Sequence, residues 1–280
     1  MRLLVAGGTG TAGRALVAEA VARGHEVRVL TRGDVGRPQP TDAGAAPQGT
    51  APQGVAPGAA TLVRGDLVSG SGLTAALEGV DTVVDVSNIA TMSRRRAEEF
   101  FTTGTAHLVA AAGRAGVRHH LLLSIVGIDG SRLGYYRAKV AQEQRLATAA
   151  GAAGVGHTVA RTTQFHDFAL QTLDRSALRR LVVVPSVQVQ PVDLREVAAH
   201  LLTLAEAEPV GRAPDLAGPR VERLPDLVRR VAERRGTRAW VVGVPVPGGL
   251  RTAMLPTGGV RGTRPFADWL AALPQTSTDR

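Results

Sequence analysis

The chain has 280 residues, 44% of them hydrophobic, and no cysteine. That is enough for one large α/β domain, or a nucleotide-binding domain with a small appended region; global disorder, disulfides, thiol catalysis, iron–sulfur clusters and cysteine-based zinc sites are excluded. The formal charge of +9 admits nucleic acid, membrane surface or a phosphate-rich ligand, but two Trp, two Tyr and five Phe make a poor stacking platform and the arginines are scattered, so a solvated basic surface without nucleic-acid contact is expected.

Arg2 to Ala6 is a short apolar strand. Ala12 to Arg23 has the pattern of a helix that Gly24 stops, and Glu26 to Thr31 alternates as a second strand. Strand, turn, helix and strand in this order imply a parallel sheet. Gly33 to Ala60 breaks the pattern. It is rich in Gly, Pro, Ala and Gln, repeats Ala46-Pro47-Gln48-Gly49 as Ala51-Pro52-Gln53-Gly54, and is expected to be a flexible surface insertion. The alternation then resumes, with strands at Thr61 to Arg64, Thr82 to Val86, His119 to Ile125 and His157 to Arg161, and helices at Leu73 to Leu77, Arg94 to Ala115 and Tyr135 to Ala150.

Beyond that the spacing is irregular. Leu181 to Val184 and Trp240 to Val244 suit strands, Leu224 to Arg235 suits a helix, and Asp193 begins another, with Glu196 in the capping-box position. Gln275 to Arg280 is expected to fray. The expected fold is α/β, a doubly wound parallel sheet of Rossmann type over residues 1–156, with 157–280 a small substrate-binding region completing the same fold. No apolar run approaches the roughly 18 residues of a membrane span, and Met1 to Ala6 is too short for a signal peptide, so a cytoplasmic protein without membrane contact is expected.

The first strand leads into Gly7-Gly8-Thr9-Gly10-Thr11-Ala12-Gly13. Gly7 permits the tight turn, Gly10 the approach of a pyrophosphate, and Gly13 close packing of helix on sheet, while the helix N-terminus aims free N–H groups at the phosphates. The triplet follows a strand and opens a helix, as dinucleotide binding requires. A site selective for NAD ends its second strand with an acid; here Leu30-Thr31-Arg32 stands there, and the Arg32 fork can clamp a 2′-phosphate, so NADP(H) is expected over NAD(H).

Of the 33 basic residues 32 are Arg, and the single Lys falls in Gly134-Tyr135-Tyr136-Arg137-Ala138-Lys139. Tyr135 and Lys139 are four apart at a helix start, hence on one face. A phenol with a pKa near 10 is a poor acid at neutral pH, and an adjacent ammonium improves it. This is the pairing a carbonyl reduction needs at the developing alkoxide. Ser124, at the carboxyl end of the strand that starts at His119, faces the crevice where such folds bind ligands. His119-His120 has no partners at metal spacing, so no metal site is expected.

The GGTGxxGR text at residues 7–14 resembles extended and atypical short-chain dehydrogenases/reductases, and the downstream segments resemble the NmrA-like branch. The resemblance covers at least residues 1–165. It implies that Asp66 and Leu67 contact the adenine, that Ser87 and Asn88 line the ribose side, and that Ser124, Tyr135 and Lys139 form the catalytic set, Lys139 also binding ribose. It places Gln164, Phe165 and His166 near the nicotinamide and a small-molecule substrate. The Asn that classical members carry in the long helix is missing from Arg94 to Gly116, which puts their proton relay in doubt. The expected activity is NADPH-dependent reduction of a ketone, enone or quinone. A redox sensor without turnover, or an epimerase- or dehydratase-like tailoring enzyme, are the alternatives, and homo-oligomerisation stays open.

Overall fold

The computed structural model describes residues 1–33, 60–91, 93–175 and 181–274. The expected insertion, apart from its two end residues, and the expected frayed end lie outside the described residues. The chain divides into two compact units, the first comprising residues 1–33, 60–91, 93–161 and 197–214 and the second 162–175, 181–196 and 215–274 of those described.

The chain begins with β1 (Arg2–Ala6), α1 (Thr11–Ala22), β2 (Glu26–Thr31), β3 (Ala60–Arg64), α2 (Leu73–Leu77), β4 (Thr82–Asp85), α3 (Arg94–Arg114), β5 (His119–Ile125), α4 (Gly134–Ala153) and β6 (Gly156–Thr162). The strand order in the first unit is β6-β5-β4-β1-β2-β3. The pairs β1–β2, β1–β4, β2–β3 and β4–β5 are all parallel. This is the doubly wound architecture anticipated from the alternation, and its order reverses between β1 and β4, where ligands bind in such sheets. The central strands are apolar without alternation because helices cover both faces; Leu3, Leu4, Val5 and Ala6 of β1 are all fully buried.

On one face Leu73 and Leu77 of α2 and Leu108 and Ala112 of α3 pack against Leu4 and Val83. Elsewhere Leu146 and Ala150 of α4 pack with Val109, Leu122 and Val159. Two glycines let α3 and α4 lie close. A Cβ on Gly134 would sit 2.7 Å from that of Arg94, and one on Gly113 2.9 Å from that of Ala153.

The remaining elements are α5 (Asp167–Asp174), β7 (Leu181–Pro185), β8 (Gln188–Val189), α6 (Leu194–Glu206), β9 (Gly211–Arg212), β10 (Leu216–Ala217), β11 (Glu222–Arg223), α7 (Leu224–Arg234), β12 (Trp240–Val244), α8 (Gly248–Arg251), β13 (Val260–Arg261) and α9 (Phe266–Ala271). In the second unit β7 and β12 pair in parallel. Their inner residues Val182, Val184 and Val241 pack with Leu170 of α5 and Leu227, Val228 and Val231 of α7, while Leu181, Val183, Trp240 and Val242 alternate outward and are exposed. The capping box expected at α6 forms only in half. Asp193 accepts from the Arg195 N–H at 2.8 Å, but the Glu196 carboxylate turns to the Thr263 N–H and hydroxyl and the Arg264 N–H. Three donors there outweigh the single N–H that a capping box offers.

The core also buries histidines. His120 on β5 is fully enclosed, neither ring nitrogen has a hydrogen-bond partner among the described residues, and burial pushes its pKa down to about 4. Burial likewise lowers His119, His166 and His200. The folded state holds these rings neutral, whereas the unfolded chain protonates them below about pH 6.5. The stability present above that pH is therefore lost as pH falls towards 4. Thermal melts from pH 7 to pH 5 are expected to drop in midpoint, and His120→Leu should recover on the order of 2 kcal/mol of the loss; parallel curves for parent and variant would contradict this account.

Candidate active site

The glycine turn is built as its spacing requires. Gly7 has φ +83°, and a Cβ there would sit 2.7 Å from the Ser87 backbone, so only glycine lets the turn after β1 pass the end of β4. A Cβ on Gly13 would run into the Gly7 carbonyl oxygen. The Gly10 N–H donates to that oxygen at 3.0 Å, and Gly10 is the N-cap of α1. The helix thus starts at Thr11, one residue before the expected start, and no side chain caps it. Its first-turn N–H groups suit an anion. The Arg14 guanidinium donates to the Thr9 carbonyl at 2.6 Å and braces the loop.

Arg32 follows β2 and is exposed. Asp66 follows β3 and accepts from the Ser69 N–H at 2.7 Å. That bond, more than the nearby Arg32 charge, holds its carboxyl below the ordinary aspartate range. Asp66 therefore also serves the turn after β3. The neighbouring Leu67 carbonyl lies 3.1 Å from Nδ1 of His107.

Tyr135 and Lys139 share one face of α4, as their spacing demands. The Tyr135 ring meets the Phe101 ring edge-on at 5.7 Å, and the Lys139 ammonium stands 4.8 Å over the same ring. The Tyr135 hydroxyl donates to Asn88 Oδ1 at 2.8 Å. The Asn88 side chain, expected on the ribose side, thus engages the phenol. Lys139 is only 4% exposed; its Nζ donates to the Leu123 carbonyl at 3.0 Å and to Gln142 Oε1 at 2.6 Å. Burial pushes its pKa down to about 8, against the carboxylates of Asp85 and Glu143. Beside the Leu123 carbonyl, Ser124 is buried, and its Oγ has no hydrogen-bond partner among the described residues. Burial raises the pKa of Tyr136, which makes that phenol a weaker acid than an ordinary tyrosine.

Sequence reasoning missed the polar groups beneath the pair. Gln142 Nε2 donates to Asp85 Oδ2 at 3.3 Å and to Thr105 Oγ1 at 3.1 Å, and Asp85 Oδ1 accepts from the Ser87 N–H at 2.9 Å. An acid ending the buried strand Thr-Val-Val-Asp85 was the available signal. Arg161, 5% exposed at its side chain, ties β6 to this region. It bonds both oxygens of Asp129, in the loop before α4, at 2.5 and 2.7 Å, and both of Glu143 on α4 at 2.7 and 2.6 Å.

Gln164, Phe165 and His166 belong to the second unit. Gln164 Oε1 has no partner among the described residues, and Phe165 bridges to Val192. The His166 ring is enclosed by Phe266 and Trp269, with Nε2 3.2 Å from the Arg264 carbonyl.

Strand order and glycine turn together define a doubly wound sheet of Rossmann type, and the tyrosine–lysine pair stands at the start of α4 within it. Over its first part the chain is similar to the NmrA-like family, whose model matches residues 1–132. It is 30% identical over 126 residues to the photosystem II assembly factor Ycf39 of Synechocystis, covering 45% of this chain and 34% of that protein. It is 32% identical over 161 residues to pinoresinol reductase 2 of Arabidopsis thaliana, covering 56% of this chain and 47% of that protein. The chain thus spans less than half the length of either relative. Among solved structures, MoeE5 in complex with UDP-glucose and NAD superimposes with a TM-score of 0.70 at 21% identity, over 97% of this chain and 96% of that one. UDP-glucose 4-epimerase of Thermotoga maritima does so with a TM-score of 0.66 at 16% identity, over 90% and 88%. These two likenesses establish the fold.

The turn yields a direct expectation. Gly13→Ala should cost about 1–3 kcal/mol by overpacking and weaken dinucleotide binding at least tenfold in a fluorescence titration. Gly151→Ala, in α4 with open space around it, is the control and should change neither for the worse.

Proposed function

We propose that the protein is an NADPH-dependent oxidoreductase that reduces a ketone, enone or quinone-type small molecule. The observation that carries this reading is the phenol and ammonium of Tyr135 and Lys139 against one Phe101 ring, near a buried Ser124 hydroxyl that has no partner among the described residues. The residues present fit a nicotinamide dinucleotide: only glycine is tolerated at Gly7 and Gly13, and α1 opens uncapped beside them. Gly7, Thr9, Gly10, Thr11, Ala12 and Gly13 would hold the pyrophosphate, Arg32 the 2′-phosphate, Asp66 and Leu67 the adenine side, and Ser87, Asn88 and Lys139 the ribose side. Bound NADPH supplies hydride.

The chain's own groups handle the oxygen. Ser124 Oγ donates a hydrogen bond to the substrate carbonyl. Tyr135 turns its O–H from Asn88 to that oxygen and gives up its proton as negative charge develops there. Lys139, cationic below about pH 8, stabilises the phenolate left behind. Solvent returns the proton to Tyr135. The reductase among the relatives supports this reading. Gln164, Phe165 and His166 are proposed as substrate contacts.

A second reading has one observation in its favour. The Lys139 ammonium is already satisfied by Leu123, Gln142 and the Phe101 face, which suits a protein that binds the dinucleotide without turnover, and some relatives are named assembly factors.

Following NADPH absorbance across a panel of ketones, enones and quinones separates the two. Consumption is expected, and tight binding without consumption by any compound would favour the second reading. Tyr135→Phe should lower turnover by about two to four orders of magnitude while NADPH affinity stays within a few-fold. Arg32→Ala should raise the KM for NADPH at least tenfold and leave that for NADH nearly unchanged.

A further inference from the structure

The chain reserves its only lysine for a buried place, and the way that lysine is held goes beyond the pairing with Tyr135. Gln142 lies three residues on, one helical turn along the same face of α4, and is 1% exposed. Its amide is used at both ends. Oε1 accepts from Lys139 Nζ, and Nε2 donates to Asp85 on β4 and to Thr105 on α3. The other Asp85 oxygen accepts from the Ser87 N–H and so shapes the turn that presents Asn88, which in turn accepts from the Tyr135 hydroxyl. A chain of hydrogen bonds and short backbone links therefore runs from the ammonium to the phenol by way of Gln142, Asp85 and Asn88.

The charged groups facing the ammonium are Asp85, from β4, and Glu143, from α4 itself. Glu143 is already taken by Arg161. His120 of β5 faces Asp85 and is held neutral by burial. Among the described residues Asp85 is thus the carboxylate left to balance the ammonium, and an amide stands between the two. An amide in that place transmits the balance without a direct ion pair, which would hold the lysine proton too firmly. Thr105 matters in a related way. It is a hydroxyl turned inward from the long helix, where no Asn is found, and it anchors Gln142 from the side.

We propose that Gln142 is a positioning residue that links the Lys139 ammonium to Asp85, and so sets both where that charge sits and how strongly it is held. The consequence for catalysis rests on the reductase reading; the link itself does not. Because Lys139 is the only lysine, protein grown on lysine labelled with ¹³C at Cε gives a single side-chain resonance, and its titration needs neither cofactor nor substrate. The parent amine is expected to titrate at about pH 8. Gln142→Leu removes the acceptor and should move the titration down by about one unit or more; Gln142→Glu puts a carboxylate against the ammonium and should move it up by a similar amount. If both titrations superimpose on the parent's, the proposal is overturned. Should neither variant fold, Thr105→Val frees the amide from its lateral anchor and is expected to lower the titration, and an unmoved curve there overturns the proposal as well. NADPH consumption by the same samples tests the reductase reading separately. A lysine that shifts as expected in a protein without turnover upholds the role of Gln142 and removes that reading alone.

Discussion

A lysine ammonium withdrawn from water costs several kcal/mol unless other groups replace its hydration. In this protein the replacement consists of a backbone carbonyl at the end of β5, an amide oxygen one turn along the helix, and the face of an aromatic ring. Each makes a further demand. The carbonyl of Leu123 requires β5 to end where it does, beside Ser124. The amide of Gln142 requires Asp85 and Thr105 to turn inward from β4 and α3. The ring of Phe101 requires α3 and α4 to approach closely, which Gly134 and Gly113 allow. The cation thus organises the strand ends and helix faces around it, and an arginine, with a planar fork of five donors, would not fit the same three partners.

The dinucleotide side is governed by sterics. Gly7 and Gly13 are positions where any side chain would strike backbone, and backbone has no rotamer by which to give way. The glycine turn, the end of β4 and the first turn of α1 therefore share one small volume that side chains cannot enter. Ser87 belongs to both arrangements, since its backbone borders Gly7 and its N–H donates to Asp85.

Much of the first unit was legible because its signals are local. A glycine triplet after an apolar strand, a strand with Thr31-Arg32 at its end, and a Tyr four before the sole Lys each declare themselves within a few residues. The partners of Gln142, which itself lies one turn beyond Lys139, are not local. Asp85 and Thr105 are 57 and 37 residues from it in sequence, and only the pairing of β4 with its neighbours and the packing of α3 on α4 bring them to it. Asn88 shows the same limit, for its position after β4 was clear while the direction of its side chain depended on a residue of α4. In the second unit α5 and α9 were missed because helices of 8 and 6 residues carry barely two turns of periodicity. Glu196 was assigned to a cap by its spacing, yet donors from a distant loop claimed it.

A chain whose one lysine is enclosed carries no lysine amine on its surface. Its basic exterior is made wholly of guanidinium groups, which stay protonated at any pH the fold survives and do not react with acylating reagents. Esters used to attach dyes, biotin or cross-linkers to lysine would find no accessible target in this folded chain. Modification reaching Lys139 would then report that helix α4 has opened.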